Sequence, residues 1–393
     1  MSAVAPTKPP LWRDVRALRV AGQVLFAIAV VVAGREIWLN LAYNLDRIGV
    51  ELGFGFLGRR AGFGIGEGIT YSPNDTYRDA LFVGLVNTLR VAAPGLVAAS
   101  ILGLIVGVGR LSPNWLVRKM AQVYVEALRN TPVLMVIVIL YVGVILPLPP
   151  IGGGFSIPGL FFLSNRGSAV STVRPEPAFL PWLGFVVLAG AVAWAVWRWR
   201  TQVNERTGEP HHRVLYALPT FLAVATLGGI LVGGPLRLDV ATLVEGGFNY
   251  EGGFNLSPEY FAVFLGLVLY TSAFIAEIIR GSIQAVSKGQ KEAAEAMGLT
   301  PFQQLRFVVL PQAMRIAIPP LNSQYLNLTK NSTLGVIVGF PDLGNVAKTA
   351  INQSGGASYQ IVLILVGSYL ALSLTISFFM NLINRAVTRK GAR

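Results

Sequence analysis

Eight mostly apolar stretches, each near the length that crosses a bilayer, recur along this chain and constrain its fold more than any other feature. A spanning helix needs about 20 such residues, because in hydrocarbon each backbone N–H and C=O must be satisfied inside its own helix. The stretches fall near 20–41, 81–109, 121–146, 180–197, 214–233, 259–283, 316–340 and 359–384. The composition agrees: 53% of the 393 residues are hydrophobic and 13% charged, with a mean hydropathy of +0.58, outside the range of soluble domains. The expected fold class is an all-α polytopic membrane protein of about eight transmembrane helices. Arg13, Arg16 and Arg19 precede the first stretch as in a signal peptide, but no small-residue cleavage pattern follows it. An uncleaved anchor is expected.

Cytoplasmic flanks of spanning helices carry an excess of Lys and Arg. With the N-terminus inside, segments 1–19, 110–120, 198–213, 284–315 and 385–393 hold 19 Lys/Arg in 87 residues. The opposite segments, 42–80, 147–179, 234–258 and 341–358, hold 8 in 115. This asymmetry predicts a multi-pass protein with both termini cytoplasmic, Arg385, Arg389, Lys390 and Arg393 included. The formal charge of +13 is spread through short loops, so membrane lipids with anionic headgroups are its counterpart and nucleic acid is not. With no cysteine in the chain, disulfides, thiolate metal sites and cysteine nucleophiles are excluded. The only two histidines, His211 and His212, are adjacent in the turn 198–213 without a neighbouring acidic cluster, and no metal site is assigned.

The chain divides into an N-terminal anchor and loop (1–80), a pair of spans (81–146), an inserted hairpin of two spans with Gly- and Pro-rich loops (147–258), and a final segment (259–393). That last segment contains the most informative stretch, 284–311, built like two short helices. Ser287 with Gln290 makes one capping box, Ala293, Ala294 and Ala296 favour helix, and Gly298 is placed to end it in a left-handed turn. Thr300 with Gln303 makes a second capping box, Pro301 suits a first helical position, and Pro311 is expected to close the segment. Two capped helices make a rigid projection, with Glu292 and Glu295 available for pairing in a groove of another protein.

Glu292-Ala293-Ala294, then Gly298, then the apolar stretch to Leu310-Pro311, resembles the EAA loop of ABC importer permeases. The segments Gly84-Leu-Val-Asn-Thr-Leu, Glu126-Ala-Leu-Arg-Asn-Thr-Pro-Val-Leu and Leu328-Thr-Lys-Asn-Ser-Thr-Leu resemble the polar amino acid branch of that family, which includes histidine and general L-amino acid permeases. The insertion resembles its longer members. The resemblance implies a five-helix type I permease core and a bacterial cytoplasmic (inner) membrane location. It further implies a function: the membrane subunit of an importer that moves L-amino acids by alternating access. Implied partners are ATP-binding cassette ATPase subunits that receive the loop, a second permease that is a paralogue or a copy, and a periplasmic amino-acid-binding protein. The chain has no Gly-x-x-x-x-Gly-Lys-Ser/Thr run, so it is expected to be no enzyme and to bind no cofactor, with ATP and Mg on the partner ATPase.

A substrate path needs polar groups inside apolar spans, where they face a cavity or a partner. Asn327, Lys330, Asn331, Ser332 and Thr333, with Thr329 among them, form the densest such patch, whose other reading is interhelical hydrogen bonding. Asn87, Thr88 and Arg90 form a second, in which Arg90 either faces a substrate carboxylate or snorkels to the interface. Glu126 with Arg129, and Glu277 with Arg280, are spaced to pair along a helix. Pro132, after Asn130 and Thr131, marks a moving break or a static kink. An ion-coupled secondary amino acid transporter would also have many spans and polar midspan groups, but would leave the two-helix loop unexplained. A polytopic membrane enzyme would need clustered His, Asp or Glu, which the chain lacks.

Overall fold

The computed structural model describes residues 15–47, 53–208, 212–244 and 250–389. Arg13, His211, Lys390 and Arg393, on which parts of the orientation and histidine readings rest, lie outside the described residues. Helix α1 (Val15–Arg47) is followed by α2 (Tyr77–Gly109), α3 (Trp115–Arg129) and α4 (Val133–Leu140), which continues as a π-turn to Ile145. Next come α5 (Phe179–Thr207), α6 (Arg213–Leu231), α7 (Pro258–Gln284), α8 (Lys288–Ala296) and α9 (Pro301–Gln303). The chain continues with α10 (Leu310–Asn331), α11 (Leu343–Gln353) and α12 (Ser358–Arg389).

Six of the described helices, α1, α2, α5, α6, α7 and α12, are long and apolar enough to cross a membrane. Counting α3 and α4 as one bent span gives seven, against the expected eight. The stretch 316–340 is helical as far as Val338 but falls short, because Pro319, Pro320, Asn322, Ser323, Gln324, Asn327 and Lys330 interrupt its apolar run. The stretch 121–146 is bent by 105°. Pro132 cannot donate to the preceding turn and disfavours helical backbone at Thr131, so it caps α4 instead. The Thr131 hydroxyl then donates to the Ala127 carbonyl at 2.8 Å, engaging an acceptor near the end of α3.

The expected helical fold forms, with a local addition in the loops. The loops on either side of the inserted hairpin fold into short antiparallel strands: β1 (Phe155–Ile157), β2 (Phe161–Ser164), β3 (Gly167–Val170) and β4 (Thr172–Pro175) before it, β5 (Leu236–Asp239), β6 (Thr242–Leu243), β7 (Tyr250–Glu251) and β8 (Phe254–Leu256) after it. They pair as β1-β2-β3-β8, β4-β5 and β6-β7. Strands of two to four residues are too short to show an alternating pattern, and β3 and β4 find partners on the far side of a helical hairpin. Gly167 is required here: at φ +106 it lies against the Leu256 carbonyl, where a Cβ would collide with backbone.

The chain forms two compact units, Met1–Thr88 with Pro341–Ile376, and Leu89–Phe340 with Ser377–Arg393. In the first, Phe56, Phe63, Tyr77 and Leu81 are buried with Leu343, Val346 and Ile361. The start of α11 is pinned there, since the buried Asp342 accepts from the Asn345 N–H at 2.9 Å and from the Tyr369 hydroxyl at 3.2 Å.

In the second unit α7 is the most buried spanning helix, and glycines set its approach to α2. A Cβ on Gly103 would lie 3.0 Å from the Ser272 carbonyl, and one on Gly107 2.8 Å from that of Ala276. Gly103 and Gly107 are four residues apart, so they present one backbone-flat face, a spacing that lets membrane helices pack closely. Tyr124 of α3 bonds the Ser272 hydroxyl at 2.7 Å and donates to the Leu269 carbonyl at 3.0 Å, tying a third helix to the same seam.

Candidate functional site

The stretch between α7 and α10 folds as a capped two-helix projection. Helix α8 stops because Gly298 turns left-handed, at φ +77. The Gly298 N–H then donates to the Glu295 carbonyl at 2.8 Å and the Leu299 N–H to that of Ala294 at 3.1 Å, the paired bonds of a Schellman turn. The capping box at Thr300 forms as expected: its hydroxyl accepts from the Gln303 N–H at 3.4 Å, while the Gln303 side chain accepts from the Thr300 N–H at 2.9 Å. Pro301 occupies the first turn of α9. Thr300→Ala is expected to remove about 1 kcal/mol of local stability, read as about fivefold faster amide exchange at Gln303 and Gln304.

Two details differ from the sequence reading. Ser287 stands at the N-cap of α8 without a side-chain cap bond: the Gln290 N–H donates to the Ser287 backbone carbonyl at 3.1 Å, and the Gln290 side chain accepts from Gln312 at 3.1 Å, joining α8 to α10. Pro311 does not close the segment but lies in the first turn of α10. A π-stretch over Gln304–Val309 precedes it, and this wider turn carries the helical path from Pro301 through the proline.

The projection is anchored from below. Ala294 is buried, and Val286, Val309 and Ala313 form a small core with Ile283 at the ends of α7 and α10. Its outer face leaves Glu292, Ala293 and Glu295 exposed, together with Met297 at 78% and Phe302 at 67% relative exposure. Sequence reasoning missed Met297 and Phe302; their signal was two large apolar side chains flanking the Gly298 turn in a polar loop. Leu310 is also exposed. The projection presents an apolar tip beside two carboxylates on a rigid, well-anchored turn.

The polar span residues fall into separate settings. Asn87 and Thr88 are fully buried. Asn87 donates to the carbonyls of Glu67 at 3.0 Å and Pro341 at 2.9 Å. Thr88 donates to the Gly84 carbonyl and accepts from the Leu343 N–H, so both side chains hold main chain. Arg90 lies 4.7 Å over the Phe254 ring. On α10, Asn327 and Lys330 share an exposed face and Asn331 is half-buried, as is Thr333 in the 3-10 stretch Ser332–Val338 that follows. Ser332 is buried and donates to the Thr329 carbonyl at 2.8 Å.

The two carboxylate–guanidinium pairs diverge. Glu277 pairs with Arg280 at 2.5 Å and also with Arg110, just past the end of α2. Glu126 and Arg129 do not meet: Glu126 accepts from Gln122 at 2.7 Å, and Arg129 sits 5.3 Å over the Phe274 ring, where cation–π attraction from α7 outcompetes a neighbour on its own helix.

Comparison with known proteins adds the context for this projection. Residues 212–389 match the family described as "Binding-protein-dependent transport system inner membrane component". The chain is 46% identical over 362 residues to the general L-amino acid transport system permease protein AapQ of Rhizobium johnstonii, covering 90% of this chain and 89% of that one. It is 42% identical over 367 residues to the putative amino-acid ABC transporter permease protein YhdX of Escherichia coli, covering 93% of each. To the glutamate/glutamine/aspartate/asparagine transport system permease protein BztB of Rhodobacter capsulatus it is 37% identical over 407 aligned residues, again covering 93% of each.

Proposed function

Because the chain belongs to the family of binding-protein-dependent transport system inner membrane components, we propose that its 284–311 projection couples ATP hydrolysis on a separate subunit to amino acid import. The protein is a multi-pass membrane permease subunit of an ABC transporter for amino acids. None of the three relatives is named as an ion-coupled carrier, and that reading has no support. Their names span general L-amino acids and the acidic amino acids with their amides, which favours a broad L-amino acid substrate range here.

The observation that carries the coupling role is the form of the projection. Its exposed tip, with Glu292, Ala293, Met297 and Phe302, sits on a Schellman turn and a capping box, so it resists bending under load. Its two ends continue into α7 and α10, so a push on the tip moves both helices together. In this mechanism a pair of ATPases carrying ATP and Mg closes around the projections of two permeases. The helices then rotate, and the path alternates between an inward and an outward opening that accepts substrate from a binding protein. The Lys/Arg asymmetry supports the projection and both termini lying on the cytoplasmic side. The exposed stripe of Asn327 and Lys330 is the part of the polar patch free to meet substrate.

The test is co-purification of the chain from its native membrane in mild detergent, with an ATPase assay on the wild type and on Glu292→Lys. A nucleotide-binding subunit is expected with the wild type, and the charge reversal is expected to lower its yield about tenfold, the equivalent of about 1.4 kcal/mol. Association unaffected by the reversal would remove Glu292 from the interface. Failure of any ATPase to associate would overturn the coupling role.

A further inference from the structure

Helices α5 and α6 form a hairpin whose outer surfaces are largely exposed, and a groove of about 690 Å³ runs along one side of it. Its walls include Trp182, Phe221, Ala225, Gly229 and Ile230. The one polar group of the Trp182 ring is spent, since its indole N–H donates to the Ala225 carbonyl at 2.8 Å, so the ring offers a dry apolar wall. From Phe221 to Ile230 a helix rises about 14 Å, close to half of a ~30 Å hydrocarbon core, so the groove is as deep as one leaflet.

At Gly233, Gly234 and Leu236 the groove runs into a second pocket of about 620 Å³ that includes Glu176 and Arg237. These two stand 4.0 Å apart, with side chains 39% and 79% exposed, a loose pair that holds neither partner strongly. The neighbouring Arg174 differs, being bound to Asp239 at 2.7 Å. Strands β4 and β5 pair with Arg174 opposite Arg237 and Val173 opposite Leu238. One face of this ribbon is therefore charged, and the other shows Val173, Leu236 and Leu238, all exposed, as expected where headgroups meet hydrocarbon.

We propose that the groove binds one zwitterionic glycerophospholipid with a primary-amine headgroup. An acyl chain lies between α5 and α6, the phosphate meets Arg237, and the ammonium meets Glu176. The mouth holds one cation and one anion, so a dipolar headgroup matches both, whereas a purely anionic one would face the Glu176 carboxylate. The proposal rests on the hairpin's crossing the membrane and is independent of the coupling role.

Native mass spectrometry of the full chain in detergent, titrated with phosphatidylethanolamine or phosphatidylglycerol of the same acyl chains, tests it. The wild type is expected to retain one phosphatidylethanolamine with about fivefold preference, the scale of one exposed ion pair. Gly229→Leu should reduce retention of that lipid about fivefold; a Cβ there meets only ordinary contacts, 3.4 Å from Trp182 and 3.5 Å from Pro235, and the rest of the side chain fills the groove. Glu176→Gln, which leaves the phosphate on Arg237 and removes the anionic partner of the ammonium, should remove the preference but keep lipid bound. Equal retention of both lipids by the wild type, or no change in the variants, overturns the proposal. If Gly229→Leu does not fold, a phosphatidylethanolamine with a diazirine on its acyl chain decides on the wild type. Labelling within 221–230 supports the site, and labelling that avoids these residues overturns it.

Discussion

Gly298→Val is expected to lower amino acid uptake by the reconstituted transporter at least about tenfold while the ATPase subunits stay bound. The argument is one of backbone conformation alone. A Cβ at Gly298 would meet nothing within 4 Å, so the substitution creates no clash. It does force a β-branched residue to φ +77, which costs about 1–2 kcal/mol for an ordinary L-residue and more for a β-branched one. The turn relieves this by reorienting α8 against α9 and breaking the bonds from the Gly298 and Leu299 N–H groups. The tip then yields when pushed. Gly298→Asn should retain most transport, because asparagine tolerates the left-handed region. Paired uptake and ATPase measurements on both variants check this: equal uptake by the valine variant and the wild type would show that the stiffness of the turn does not transmit force.

The second large effect is expected at Gly107. On an open helix, replacing glycine by a residue with a side chain gains up to about 1 kcal/mol in propensity. Here a Cβ would sit 2.8 Å from the Ala276 carbonyl oxygen and 3.0 Å from the Ile279 Cβ, and backbone atoms cannot step aside as a flexible side chain does. The contact term reverses the sign. Gly107→Leu should cost about 3 kcal/mol or more through overpacking, and the forced separation of α2 from α7 would also pull Arg110 from Glu277. The measurement is thermal unfolding in detergent followed by size exclusion. The variant should melt well below the wild type or fail to yield monodisperse protein, whereas Gly281→Leu, at a helical glycine with open space around it, should behave like the wild type. A wild-type melting temperature for Gly107→Leu would mean that α2 and α7 do not meet at these glycines.

The sequence by itself determined what depends on neighbouring residues and on transfer from water. Six of the eight apolar stretches are long uninterrupted helices, because burying backbone in hydrocarbon leaves a 20-residue apolar run no other regular form. The Gly298 turn and the Thr300 box were legible for a similar reason: each closes within a few residues, so its bonds are fixed by local chemistry. Tertiary structure decided the rest. Ser287 formed no side-chain cap bond, the Gln290 side chain turned to Gln312, and Arg129 left Glu126 for the Phe274 ring. Asn87 and Thr88, polar residues in an apolar span, bond main chain of a loop and of α11. The strands around the inserted hairpin and the seam at Gly103 and Gly107 arise from segments far apart in the chain. A side chain takes the strongest partner that folding brings within reach, and no local spacing names a partner that lies dozens of residues away.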